Sequence, residues 1–117
     1  MPRNDLLKVS PPPTQFDGVS VVAKANVYFG GNVVSHTLLL PGGAKKTLGL
    51  IRKGSFHFDT AAPELMEIVD GSCSVVIDGK TDASVHGPGS RFEVPGKSGF
   101  RIEVADGICQ YICTFLD

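Results

Sequence analysis

Two stretches of the sequence carry polar and turn residues more densely than strand propensity requires, and both hold side chains able to do chemistry. Residues 54–71 bring His57, Asp59 and Glu64 into one short run. An imidazole and two carboxylates can act as acid–base groups or as donors to a metal ion. His57 could also hydrogen-bond a heterocycle or a phosphate near neutral pH. Thr60 could bind a hydroxyl or phosphate oxygen, or cap the turn that leads into Pro63. Residues 87–100 set Arg91, Lys97 and Ser98 in a frame of Gly and Pro. The Pro95-Gly96-Lys97-Ser98-Gly99 turn could offer an ammonium and backbone N–H donors to an anion, or simply stand in solvent. No Ser or Cys sits in a strained turn beside a histidine, so a hydrolase-type nucleophile is not indicated.

Short apolar runs separated by Gly, Pro and Asp must position these groups. From residue 18 onward the punctuation recurs about every eight to twelve residues, the rhythm of an all-β sandwich or barrel. Strands are predicted at 33–40, 47–52, 65–69, 74–77, 91–94, 100–104 and 108–115. Turns are predicted at Pro41-Gly42-Gly43, Pro88-Gly89, Pro95-Gly96 and three Asp-Gly pairs, Asp70-Gly71, Asp78-Gly79 and Asp106-Gly107. In the sixth strand Phe100, Ile102 and Val104 alternate with Arg101 and Glu103, so one face is core. The last strand is apolar on both faces, which suits the middle of a sheet or a dimer seam. Residues 1–17, with Pro2 and Pro11-Pro12-Pro13, read as a proline-rich arm; residues 18–117 read as the domain.

At 117 residues the chain has room for one domain, and its 42% hydrophobic content and mean hydropathy of +0.11 allow a packed core. The formal net charge of -1 argues against polynucleotide binding. That figure is a cancellation: residues 18–58 carry +5 and residues 59–93 carry -5. Either the two blocks pair as solvated strand faces, or part of the basic block faces a pocket for a small anion. No apolar run reaches the ~18 residues a membrane span needs. Cys73, Cys109 and Cys113 read as reduced core residues, which favours the cytoplasm.

Both polar stretches resemble cupin motifs. His57-Phe58-Asp59, Glu64 and Gly71 fall on the first motif, and Gly89, Pro95 and Phe100 on the second. The departures are chemical. Asp59 stands where a cupin has its second metal-binding His, and Phe100, which cannot ligate, stands at the third. A metal held by His57, Asp59 and Glu64 remains an open alternative. More specifically, the chain resembles the pyrimidine/purine nucleoside phosphorylases, small one-domain cupins. The matching residues run through Asn26, Tyr28, Phe29, Gly31, Val33 and Ser35, then Phe58, Thr60, Ala61, Pro63, Glu64 and Met66, then Gly89, Phe92, Val94 to Gly96, Ser98 and Phe100, with Tyr111 and Cys113 near the end.

The resemblance implies an all-β fold, a single cupin-like β-barrel of the jelly-roll type, and phosphorolysis: a nucleoside plus inorganic phosphate gives a free base and a pentose 1-phosphate, without metal or other cofactor. Such a site requires a carboxylate for the positive charge on the sugar, a cationic cradle for phosphate and a surface for the base. Glu64 is the candidate carboxylate because Glu64, Met66 and Ile68 share one strand face. His57 and Thr60 are the other candidate catalytic residues. Arg52 is a candidate phosphate ligand, with Lys97 and Ser98, if Leu48, Leu50 and Arg52 face inward; with Gly49 and Ile51 inward it would stand in solvent. Tyr28, Phe58, Phe92 and Phe100 are candidate walls for the nucleoside. The expected partners are nucleosides and phosphate, no polynucleotide and no membrane, with the chain as a homodimer. A barrel that has lost its metal ligands and only binds a small molecule is the alternative.

Overall fold

Each expected strand is present in the computed structural model, which describes residues 12–116, but the longest two run through the breaks the pattern suggested. The elements are β1 (Ser20–Val21), β2 (Asn26–Tyr28), β3 (Val33–Leu39), β4 (Lys45–Asp59), β5 (Glu64–Asp70), β6 (Cys73–Ile77), β7 (Ser84–His86), β8 (Arg91–Val94) and β9 (Gly99–Phe115). Single 3-10 turns at Phe29–Gly31 and Pro41–Gly43 flank β3. Three short strands, β1, β2 and β7, were not predicted, because two or three residues carry too little alternation to be read. Pairing is antiparallel throughout, along the order β1-β3-β4-β9-β5-β8, with β6 joining β9 and β7 joining β6. Among the described residues, no helix is long and apolar enough to cross a membrane.

The β4–β9 ladder organises the molecule. Lys46 to Arg52 pair with Thr114 to Ile108, and Gly54 to Asp59 pair with Val104 to Gly99. Between these halves Lys53 stands opposite Ala105, Asp106 and Gly107, so Asp106-Gly107 is a bulge inside one strand rather than the predicted hairpin turn. The bulge also reverses which side chains face inward. On β4 the inward set is Thr47, Gly49 and Ile51 before it and Phe56 and Phe58 after it. On β9 it is Phe100, Ile102 and Val104, then Cys109, Tyr111 and Cys113. The core is made where these two halves face each other, with Val33, Met66, Ile68, Cys73, Val75 and Val94. All three cysteines are buried and free.

As the apolar last strand suggested, β9 lies inside the sheet, between β4 on one side and β5 and β6 on the other. β5 takes its C-terminal half and β6 its N-terminal half. Asp70-Gly71 is therefore a crossover between two partners of β9, not a hairpin. Only glycine fits there. At φ 79° a Cβ on Gly71 would sit 2.2 Å from the Ile108 carbonyl oxygen and 2.9 Å from Cys109 Cα. On the outer face of β3, β4 and β9, Pro13, Phe16, Val19 and Val21 border a cavity of about 260 Å³ together with Leu38, Leu48 and Ile112. Residues 1–11 of the proline-rich arm lie outside the described residues.

Gly71 and Gly79 share a left-handed backbone, but nothing would touch a Cβ at Gly79. Gly79→Ala should therefore cost only about 1 kcal/mol of backbone strain. Gly71→Ala adds a backbone clash and should cost at least about 3 kcal/mol. Urea unfolding of the two variants measures the difference.

Candidate active site

The inward side chains near the ends of β4 and β9 leave a cavity of about 180 Å³, because the bulge brings the two halves of the ladder face to face. Thr47 and Ile51 from the first half of β4 and Phe58 and Asp59 from the second line it, with Phe100, Tyr111, Cys113 and Phe115 from β9, Glu64 and Met66 from β5, Ser35 from β3 and Tyr28 from β2. The volume is below the roughly 300 Å³ at the small end of ligand pockets. A nucleoside-sized ligand would enter with one end and leave the other at the mouth.

Glu64 is the pocket's inner carboxyl. It pairs across the sheet with Phe115 and Val94, half-buried, and burial raises its carboxyl above the ordinary range while a hydrogen bond from the Cys113 thiol works against that rise. Burial pushes the Cys113 thiol up as well, and the neighbouring Glu64 charge adds to it, so the thiol stays protonated and donates. Tyr111 closes the floor. Its ring lies across Gly49, where a Cβ would come within 2.5 Å of the ring and hydroxyl. The phenol is buried, which raises its pKa, and it bonds to Ser35. Asn26 Nδ2 in turn donates to Ser35 Oγ and Thr37 Oγ1, both at 3.2 Å, fixing the chain of hydroxyls behind the pocket.

Aromatic rings make the opposite wall. Phe58 and Phe100 stack at 5.7 Å and 25°, Tyr28 meets Phe58 edge-on at 5.8 Å, and Phe92 buttresses Phe100 from behind at 5.8 Å. Phe29, not among the expected site residues, packs at 5.4 Å on Phe58 and 5.0 Å on Phe56. Its φ of 53° is unusual for an aromatic residue, and the turn into Gly30-Gly31 holds it there, with the ring half-exposed.

Of the expected site residues, the structure gathers Glu64, Tyr28, Phe58 and Phe100 around one cavity and places the others elsewhere. Arg52 is exposed on the outer face because Ile51, 1% exposed, takes the inward register. His57 lies on the far side of β4 from Phe58. Its Nε2 is 2.9 Å from Asp78 Oδ1, reached across Gly99, where a Cβ would stand 2.5 Å from Asp78 Oδ2. Thr60 is buried as a clamp: its hydroxyl donates to the Pro95 carbonyl at 2.6 Å and accepts from the Ser98 N–H at 3.1 Å, leaving no hydrogen for a ligand. Lys97 is exposed at φ 52°, with its N–H on the Ala61 carbonyl. Phe92 stands behind the wall rather than on it.

The donor set does not fit a cupin metal. The described lining of the pocket offers carboxylates, hydroxyls and a thiol but no imidazole, and Phe100, at the place the motif gives its third ligand, contributes a ring that cannot ligate. Among the described residues, the donor atoms of His57, Asp59 and Asp78 lie within 4.8 Å of one another, a group that does not include Glu64.

The family profile for pyrimidine/purine nucleoside phosphorylase matches residues 23–115. The chain belongs to the pyrimidine/purine nucleoside phosphorylase family. A protein of that name from Methylococcus capsulatus is 51% identical over 102 residues, covering 87% of this chain and 98% of its own. Another from Burkholderia orbicola is 52% identical over 103 residues, covering 88% and 96%. Among solved structures, a protein of unknown function from Acinetobacter sp. ADP1 superposes with a TM-score of 0.84 at 43% identity, covering 87% of this chain and 98% of its own. A cupin superfamily protein from Desulfitobacterium hafniense matches at 0.59 and 17% identity, covering 73% and 78%, which supports the cupin-like all-β fold. Within this family framework the pocket draws on β2, β3, β4, β5 and β9, all inside the matched residues.

Because the Glu64 carboxyl is raised in the folded state, its ionised form there is the less favourable one, and the stability loss is full only above the raised pKa. Glu64→Gln should melt higher than the parent at pH 8. The gain should shrink as the pH falls through the raised pKa and vanish below about pH 4, where the carboxyl is protonated in folded and unfolded chains alike. Melting temperatures across that range check the sign.

Proposed function

We propose that this chain is a nucleoside phosphorylase of broad specificity, a pentosyltransferase that cleaves purine and pyrimidine nucleosides with inorganic phosphate to free base and (deoxy)ribose 1-phosphate. The observation that carries the reading is the half-buried Glu64 carboxyl facing the same cavity as the Phe58–Phe100 stack. The names of the relatives support it.

The chemistry follows from where charge develops. As the N-glycosidic bond breaks, the sugar becomes oxocarbenium-like while the base takes up the electron pair. A carboxylate in a partly desolvated pocket stabilises that positive charge far better than one in water, and it can hold sugar hydroxyls at the same time. The base lies against aromatic faces, an interaction every heterocycle can make. Among the described lining residues there is no Asn, Gln, His or Arg to read a base edge, which supports tolerance of purines and pyrimidines. His57, Thr60 and Arg52 have no part in this scheme. We read the protein as a cytoplasmic homodimer, a reading supported by its free cysteines and by the exposed apolar side chains of Val21, Val27 and Leu39.

Purified protein incubated with inosine, adenosine, uridine or thymidine should release free base, measured by chromatography, only when phosphate is present. Release without phosphate, or none, overturns the reading in favour of hydrolysis or simple binding. Glu64→Gln should lower kcat/KM by about 10²-fold or more, the scale of losing one transition-state electrostatic partner.

A further inference from the structure

Phosphorolysis requires a cation near the sugar, yet the described lining of the cavity holds none. The expected basic residues are turned elsewhere, and so are others nearby. Lys46 Nζ donates to Thr114 Oγ1 at 2.7 Å, Arg101 reaches Ser55 on the outer face at 3.4 Å, and Arg91 stands 3.9 Å from Glu67. Lys45 is different. It begins β4 two residues before Thr47 and four before Gly49, so the strand's period of two puts it on the pocket's face. Its ammonium sits 4.9 Å from the centre of the Phe115 ring, and that ring lines the pocket.

We infer that Lys45 forms the oxyanion subsite of this pocket, taking inorganic phosphate in the forward direction and the phosphoryl group of a pentose 1-phosphate in reverse; the inference rests on the phosphorylase reading. Three relations support it. The Phe115 face holds the ammonium beside the mouth by cation–π attraction, so the charge is positioned before the ligand arrives. Phe115 is also the cross-strand partner of Glu64, which sets the cation and the carboxyl on either side of one ring, with neither paired to the other. Phosphate held by Lys45 thus stands next to the sugar that Glu64 engages. Finally, Thr47, the following side chain on that face, lines the cavity with a neutral hydroxyl that also hydrogen-bonds the Cys113 thiol, so a polar group lies beside the ammonium on the same face. Lysine suits this place because phosphate is recognised there as a point charge at an open mouth, without a guanidinium fork.

In the transfer, a phosphate oxygen forms the bond to the anomeric carbon as the C–N bond breaks. The C–N electron pair leaves with the base, which is protonated from phosphate or solvent. Lys45 keeps its proton and contributes only its charge.

The test is Lys45→Met beside Lys45→Arg, with Lys80→Met, an exposed change in the turn after β6, as control. Lys45→Met should raise the KM for phosphate about tenfold or more, the scale of one charge-assisted contact. The KM for nucleoside should stay within about twofold of the parent. Lys45→Arg should restore most of the phosphate affinity and Lys80→Met should change nothing. Titration of inorganic phosphate alone, followed by phosphorus NMR, should show weaker binding to Lys45→Met. If the parent phosphorolyses nucleosides and Lys45→Met has an unchanged KM for phosphate, the subsite is wrong. If the parent shows no phosphorolysis, the proposed activity fails, and the phosphate titration still decides the subsite on its own.

Discussion

The rest of the structure depends on three residues standing against one. Where Ala105, Asp106 and Gly107 oppose Lys53, the β4–β9 ladder bends, and the strand alternation slips by one on each side. Without the slip, a strand as long as β4 would present a single parity of side chains to one face. With it, Thr47 and Ile51 on one half and Phe58 on the other look into the same space, so one pair of strands supplies much of the pocket. The polar floor comes from the half before the bulge on β4 and after it on β9. The aromatic wall comes from the remaining halves.

This geometry explains what could be read in the chain and what could not. Alternation within a segment is local, so the core role of Phe100, Ile102 and Val104 was visible from their spacing. The parity change is not local. It depends on the register between strands about fifty residues apart in sequence, and it settles where both Arg52 and His57 point. Thr60 was ambiguous for another reason: a hydroxyl that could bind a ligand looks the same in sequence as one committed to the Pro95 and Ser98 backbone. Gly49 was the missed signal. A glycine in the middle of an apolar strand usually marks close approach of another group, and here that group is the Tyr111 ring. Ser35 and Thr47 could have been found in the same way, as hydroxyl residues on the inward face of strands.

The pocket's electrostatics work against its own stability. Glu64 is held where water is scarce, and the compensation is a single neutral thiol rather than a cation. A cation at contact would relieve the carboxyl and also neutralise the charge it can offer to a ligand.

The central place of β9 has a consequence for how the chain is made. β4, β5 and β6 emerge from the ribosome before the strand to which all three pair. Until it arrives they present open edges, and most of the sheet's contacts span long separations in sequence. The pairs β3–β4, β5–β8 and β6–β7 can form earlier, but joining them into one sheet waits for β9. A nascent chain stalled before residue 99 would hold Val33, Ile51, Met66, Ile68, Val75 and Val94 of the core but lack the strand that brings Phe100, Ile102, Val104, Cys109, Tyr111 and Cys113 against them.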